Sequence, residues 1–160
     1  MRYMMKQKLF SWGDDFCIKD ESGVDRFFVD GKAFSFGNQL SFEDMAGNEL
    51  CFIKQVVFSL GQNYEIYKDG QLWATVSKEL FTFFHASFEI EERGAPALQA
   101  EGDFTDHRYT FMRGAKPVAE VSMEFFTLAD TYGVDILDGE EDVLILACTV
   151  VIDMACHQKD

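Results

Sequence analysis

Hydrophobic and polar residues alternate along most of the chain, and in its last quarter they stop alternating. In "GKAFSFGNQLSFED" Phe34, Phe36, Leu40 and Phe42 fall on one face of an extended chain, with Ser35, Ser41 and Glu43 on the other. "YEIYKDGQLWATVSK" reads as two short strands around Lys68-Asp69-Gly70, and Asp-Gly between alternating runs is a strong hairpin signal. Asp30-Gly31, Gly47-Asn48, Arg93-Gly94 and Arg113-Gly114 add turns at spacings suited to short antiparallel strands.

The exception is "DILDGEEDVLILACTVVIDMACHQKD". Val143 to Ile152 carry no charge, and the wider apolar segment ends near Cys156. Asp138 is a candidate N-cap, and Glu140, Glu141 and Asp142 would occupy the first turn, where the helix dipole favours anions. His157 and Lys159 follow the far end, where cations belong. A β-strand competes for "VLILACTVV", which is rich in branched residues; length and the acidic start favour the helix. Crossing a bilayer takes about 20 apolar residues, and Asp153 interrupts this segment, so it is not a membrane span. Its apolar residues cover every direction of a helical wheel, and such a helix must be enclosed by protein.

Strands are what the rest of the chain offers as an enclosure. A helix with side chains is about 10–12 Å across, whereas a barrel of about eight strands is filled by its own side chains. About twelve strands with short turns need on the order of 110–130 residues, and the segment ahead of Asp138 supplies that length. The expected fold is mainly β: one domain over residues 1–160, a closed antiparallel barrel of about twelve strands around a hydrophobic C-terminal helix. An internal echo supports repeated hairpins. "WATVSKELFTF" from Trp73 aligns without gaps on "VAEVSMEFFTL" from Val118 at an offset of 45, with six identical pairs in eleven positions.

Composition narrows the function classes. A net charge of −14, from 28 acids against 14 bases, argues against nucleic-acid binding and against broad adhesion to anionic lipid. Lys6, Lys8, Lys19, Arg26 and Lys32 lie in the first quarter and read as a solvated strand face. Cys17, Cys51, Cys148 and Cys156 show no metal-ligand spacing and no disulfide framework. "MRYMMKQKLFSW" lacks the apolar core of a secretory leader, so the expected location is cytoplasmic.

"MKQKLFSWGDDFCIKDESG", "FFVDGKAFSFGNQLSFEDMAGNEL", "YEIYKDG", "GDFTDHRYTF", "DTYGVDI" and "LILACTVVIDMACH" together resemble the LURP-one-related family, from about Met5 to His157. That family belongs to the tubby-like group, which includes the phospholipid scramblases. The resemblance implies a barrel of about twelve antiparallel strands around a hydrophobic C-terminal helix. It implies no reaction: bacterial members generally have none assigned, and plant relatives are linked to defence. Tubby domains bind phosphoinositide headgroups through surface basic residues. At "SMEFF" this chain has Met123 and Glu124 where the family resemblance implies a basic pair, which weighs against headgroup binding.

Three constellations are candidates for chemistry. Asp103, Asp106 and His107 in "GDFTDHRY" could act as a general base or hold a metal, although a turn stabilised by Asp side chains explains them equally. Asp135, Asp138, Glu140, Glu141 and Asp142 are oxygen-rich but do not have EF-hand spacing. Asp14, Asp15, Asp20 and Glu21 read first as hairpin-turn residues. The cysteines fall in apolar segments, where a reactive thiolate is disfavoured.

The expectation is therefore a non-enzymatic cytosolic binding or scaffold module without a cofactor. It would take a small amphiphile or a partner protein on its surface or at a barrel mouth. Phe81, Phe83, Phe84, Phe125 and Phe126 could form an exposed patch, with core packing as the other use. The alternatives are a membrane-peripheral, scramblase-like protein and a hydrolase using Asp103, Asp106 and His107.

Overall fold

The alternating segments form twelve strands: β1 (Arg2–Lys6), β2 (Phe16–Asp20), β3 (Asp25–Ala33), β4 (Asn38–Asp44), β5 (Glu49–Val56), β6 (Asn63–Lys68), β7 (Gln71–Leu80), β8 (Ala86–Glu92), β9 (Ala95–Asp103), β10 (Arg108–Arg113), β11 (Lys116–Ser122) and β12 (Thr131–Ile136). A 3-10 turn (Met123–Phe125) separates the last two, and α1 (Asp142–His157) ends the chain. The structure is a computed structural model that describes residues 1–6, 15–33, 38–56, 63–80, 86–128 and 130–157. Lys8, Asp14, Phe34, Ser35, Phe36, Phe81, Phe83, Phe84 and Lys159, named from the sequence, lie outside the described residues.

Each strand pairs antiparallel with the next, and β1 pairs with β12 to close the barrel. The closing seam runs from Arg2 opposite Asp135 to Lys6 opposite Thr131, and the N-terminal amine donates to the Ile136 carbonyl at 2.7 Å. Among the described strands, closure leaves no unpaired sheet edge.

The tight turns share one end of the barrel, and glycines at positive φ punctuate them: Gly23, Gly47, Gly70, Gly94 and Gly114, with Gly139 just beyond β12. Five hairpins at that end carry the same irregularity. The second strand holds one extra residue close to the turn: Arg26, Leu50, Trp73, Ala97 and Val118. A bulge sharpens local twist and bends the strand, which suits a barrel rim. Trp73 and Val118 also begin the two copies of the sequence echo. The copies diverge after Ser77 and Ser122: β7 runs on, whereas the Ser122 hydroxyl accepts from the Glu124 amide at 3.1 Å and starts the 3-10 turn.

Two local expectations need correction. Asp30-Gly31 is not a turn: both residues lie inside β3, paired with Ser41 and Leu40, and the Gly31 amide also donates to Asp15 Oδ1 at 3.1 Å. The stretch read as one alternating face is accordingly divided between β3 and β4. Asp138 is not the N-cap. Gly139 takes φ 91°, Glu140 is held by Arg113 at 2.7 Å, and the first helical bond runs from the Ile145 amide to the Glu141 carbonyl. Crossing the rim uses up those residues, so only Asp142 lies in the first turn.

The helix enters at the tight-turn end and fills the lumen. Every residue from Leu144 to Ala155 is buried, against inward side chains such as Ile18, Phe42, Ile66, Phe88, Phe111 and Val134. Each fully buried aliphatic side chain contributes about 1.5–3 kcal/mol. Two polar residues accompany them, Thr149 and Asp153. Thr149 satisfies itself by donating to the Ile145 carbonyl at 2.8 Å.

Candidate functional site

On the outside of the wall, β9 to β12 frame a groove of about 700 Å³. Its acidic edge is a row running straight across the strands: Glu101 faces Thr110, Thr110 faces Glu120, Glu120 faces Asp135, and Asp135 faces Arg2. Its apolar part is Met112, Pro117 and the exposed Leu137, above the bulge at Val118. Asp135 is paired with Arg2 at 3.1 Å. The carboxylates of Glu101 and Glu120 make no ion pair or hydrogen bond among the described residues. Neighbouring Glu89 is pushed above its ordinary value by burial first, then by the charges of Glu79 and Glu101.

The interior holds the polar cluster that owns Asp153. In the β9–β10 turn, Asp103 Oδ1 accepts from the Asp106 amide at 3.1 Å, and His107 adopts φ 48°. Asp103 and Asp106 stay on the surface while His107 turns inwards, where it is 4% exposed. Its ring stacks on Tyr132, centroids 4.3 Å apart at 15°, and its Nδ1 is 3.4 Å from Asp153 Oδ1. The Tyr132 hydroxyl donates to Asp153 Oδ2. Burial, reinforced by the negative charge of Asp153, raises the Tyr132 and Tyr109 hydroxyls far above their ordinary values and keeps both protonated.

The three residues proposed from "GDFTDHRY" are thus not brought together. One joins Asp153 and Tyr132, which the sequence reading did not connect with it; a lone acid in an otherwise apolar helix was the available signal. The cluster is too enclosed to present a group to a bulky ligand, and its effect is to anchor the helix to β10 and β12.

The acidic segment is largely consumed by structure. Asp135 pairs with Arg2, Glu140 with Arg113, and Asp142 accepts from the Tyr3 hydroxyl at 2.6 Å. Among the described residues, no three His, Cys, Asp or Glu side chains are grouped to hold a metal ion. Asp20 caps its turn by accepting from the amides of Ser22 and Val24 and from Arg26, and Lys19 pairs with Asp25. All four cysteines are free thiols. Burial pushes Cys51 up to about 12 and Cys156 up to about 11, which removes the thiolate that nucleophilic chemistry requires. At "SMEFF", Met123 and Glu124 are exposed, Phe125 and Phe126 pack over Gly133, and the Arg2 guanidinium sits 4.3 Å above the Phe125 ring. Among the described residues, no helix is long and apolar enough to cross a membrane.

Comparison with solved structures finds an Arabidopsis thaliana protein of the same fold, with a TM-score of 0.70 at 14% identity, covering 98% of this chain and 92% of that one. Comparison with curated proteins gives no match. The family described as LURP-one-related matches residues 1–153. With barrel, enclosed helix and family match in agreement, the chain belongs to the LURP-one-related family.

Proposed function

We propose that this protein is a non-enzymatic binding or scaffold module that takes an amphiphilic ligand or partner on the outside of its barrel. One observation carries the reading: the helix occupies the lumen from Leu144 to Ala155, so the inside of this barrel is spent on stability. What remains for recognition is the outer surface, and the groove across β9–β12 offers apolar and charged groups side by side. The separation of His107 from Asp103 and Asp106, and the raised thiols, are the observations that speak against a hydrolase. A cytoplasmic location belongs to this reading, and free cysteines suit such a reducing compartment.

Backbone-amide NMR titration with amphiphilic small molecules and short peptides tests this reading. Saturable shifts at Glu101, Thr110, Met112, Glu120 and Leu137 are expected. Shifts confined to lumen residues such as Val150, or ester hydrolysis lost on His107→Ala, would overturn it.

A membrane-peripheral reading has one observation in its favour. Among the described residues, five of the seven large exposed apolar side chains, Met1, Val24, Met45, Leu72 and Leu137, lie at the tight-turn end, and Met123 and Leu128 lie at the other. It predicts co-sedimentation with zwitterionic vesicles that a Val24→Ser/Leu72→Ser variant loses. The acidic balance predicts no gain from anionic lipid.

A further inference from the structure

The outer wall contains an arrangement that works against its own stability. Glu120 stands directly opposite Asp135, and Glu101 lies one strand beyond Thr110 in the same row. Like charges directly opposite on neighbouring strands destabilise a sheet by roughly 0.2–1 kcal/mol. The row holds three carboxylates and one cation, Arg2, which is already engaged by Asp135. Glu79 and Glu89 continue the acidic surface onto β7 and β8, where burial first, and then the charges of Glu79 and Glu101, push the Glu89 carboxyl above its ordinary value. Directly beside the row lie Met112, Pro117 and Leu137, the last of them 47% exposed. Closure of the barrel rules out docking by strand addition at this site, so an occupant must be held through side chains.

We infer that the groove across β9–β12 is a docking site for a basic, amphipathic segment of a partner protein, with Lys or Arg set against Glu101 and Glu120 and an apolar side chain set against Met112, Pro117 and Leu137. The inference rests on the binding-module reading and names its ligand. Charge complementarity selects the occupant. An anionic segment would meet uncompensated carboxylates, and a purely apolar one would desolvate Glu101 and Glu120 without pairing them. About 700 Å³ of open groove suits a short segment of chain rather than a folded domain.

The test is fluorescence anisotropy with three labelled ten-residue peptides, alternating Lys/Leu, Glu/Leu and Ser/Leu, against the full chain. Binding of the Lys/Leu peptide is expected, weakened at least tenfold by Glu101→Gln/Glu120→Gln and several-fold by Leu137→Ser. A second double variant, Glu21→Gln/Glu91→Gln, removes the same charge at exposed positions elsewhere and should leave the affinity within twofold. Equal weakening by both double variants would mean general attraction to an acidic protein and overturns the inference, as does the absence of Lys/Leu binding. If the Glu/Leu or Ser/Leu peptide binds through the groove and the Lys/Leu peptide does not, the ligand class falls while the binding module stands.

Discussion

Tyr132 on β12 donates its hydroxyl proton to Asp153 on the enclosed helix, at a point where neither side chain meets solvent. The bond lies in a mainly apolar interface, and its cost is offset only while both partners are present. His107 covers the same tyrosine ring and brings Nδ1 to the other carboxylate oxygen, so a loop, a strand and the helix meet at one acid.

Removing that acid alone should therefore hurt more than removing the pair. Asp153→Leu keeps the volume apolar but strands the Tyr132 hydroxyl, and leaving a buried donor unpaired costs about 1–3 kcal/mol. Adding Tyr132→Phe to Asp153→Leu removes the stranded donor and should restore much of the loss. Urea unfolding of both single variants and the double completes the cycle. Additive losses, with no coupling beyond about 0.5 kcal/mol, would show that the bond contributes nothing.

The layout of the fold was legible because it depends on local signals. Period-two alternation marked the strands, turn glycines marked one end of the barrel, and an all-round apolar segment demanded an enclosure. Legibility failed where neighbours in space are distant in sequence. His107 and Asp153 meet across 46 positions, and the row Glu101, Thr110, Glu120, Asp135 exists only once four strands are set in register. The bulge shared by five hairpins was not legible in the sequence: the echo marked two repeated hairpins, and its first residues, Trp73 and Val118, differ although both stand at the bulge. Asp138 misled because a good capping residue was needed first to carry the chain over the rim.

Glycines separate into two kinds with different costs. Gly94 takes φ 80° in an open turn, so Gly94→Ala should cost about 1 kcal/mol from the left-handed backbone alone. Gly102 has φ 140°, and a Cβ there would lie 2.5 Å from the Arg108 carbonyl oxygen and 2.7 Å from the Tyr109 Cα. Backbone cannot yield as a side-chain end can, so Gly102→Ala should cost about 3 kcal/mol. Equal midpoints for the two variants in thermal unfolding would contradict this packing of β9 on β10.

Thiol accessibility reports on the enclosed helix. Cys51 is buried in the wall and Cys148 in the helix, and burial raises both thiols, Cys51 up to about 12. At a pH of about 8, close to the pKa of an ordinary thiol, Ellman's reagent should leave these two unmodified in the native protein and modify both in urea. Site-resolved mass spectrometry gives the answer. Rapid native labelling of Cys148 would mean that the helix does not stay in the barrel.

Acid should loosen the tight-turn end through two aspartates placed 24 residues apart. Asp20 accepts from the Val24 amide, its largest influence, and from Arg26 and Ser22; Asp44 accepts from the Asn48 side chain and from the amides of Asn48 and Ala46. These donors favour the carboxylate, so each group is held below the ordinary value of 3.8 in the folded state. A lowered folded value means that the unfolded chain binds protons first. The stabilisation is complete above 3.8 and is lost as pH falls through the lower folded values. Asp20→Asn/Asp44→Asn should unfold more easily than the parent at about pH 6, where the parent's carboxylates are charged and bonded, and the gap should narrow at about pH 3. Urea midpoints at the two pH values measure it, and a gap that stays constant would mean that the amide side chains serve these turns as well as the carboxylates do.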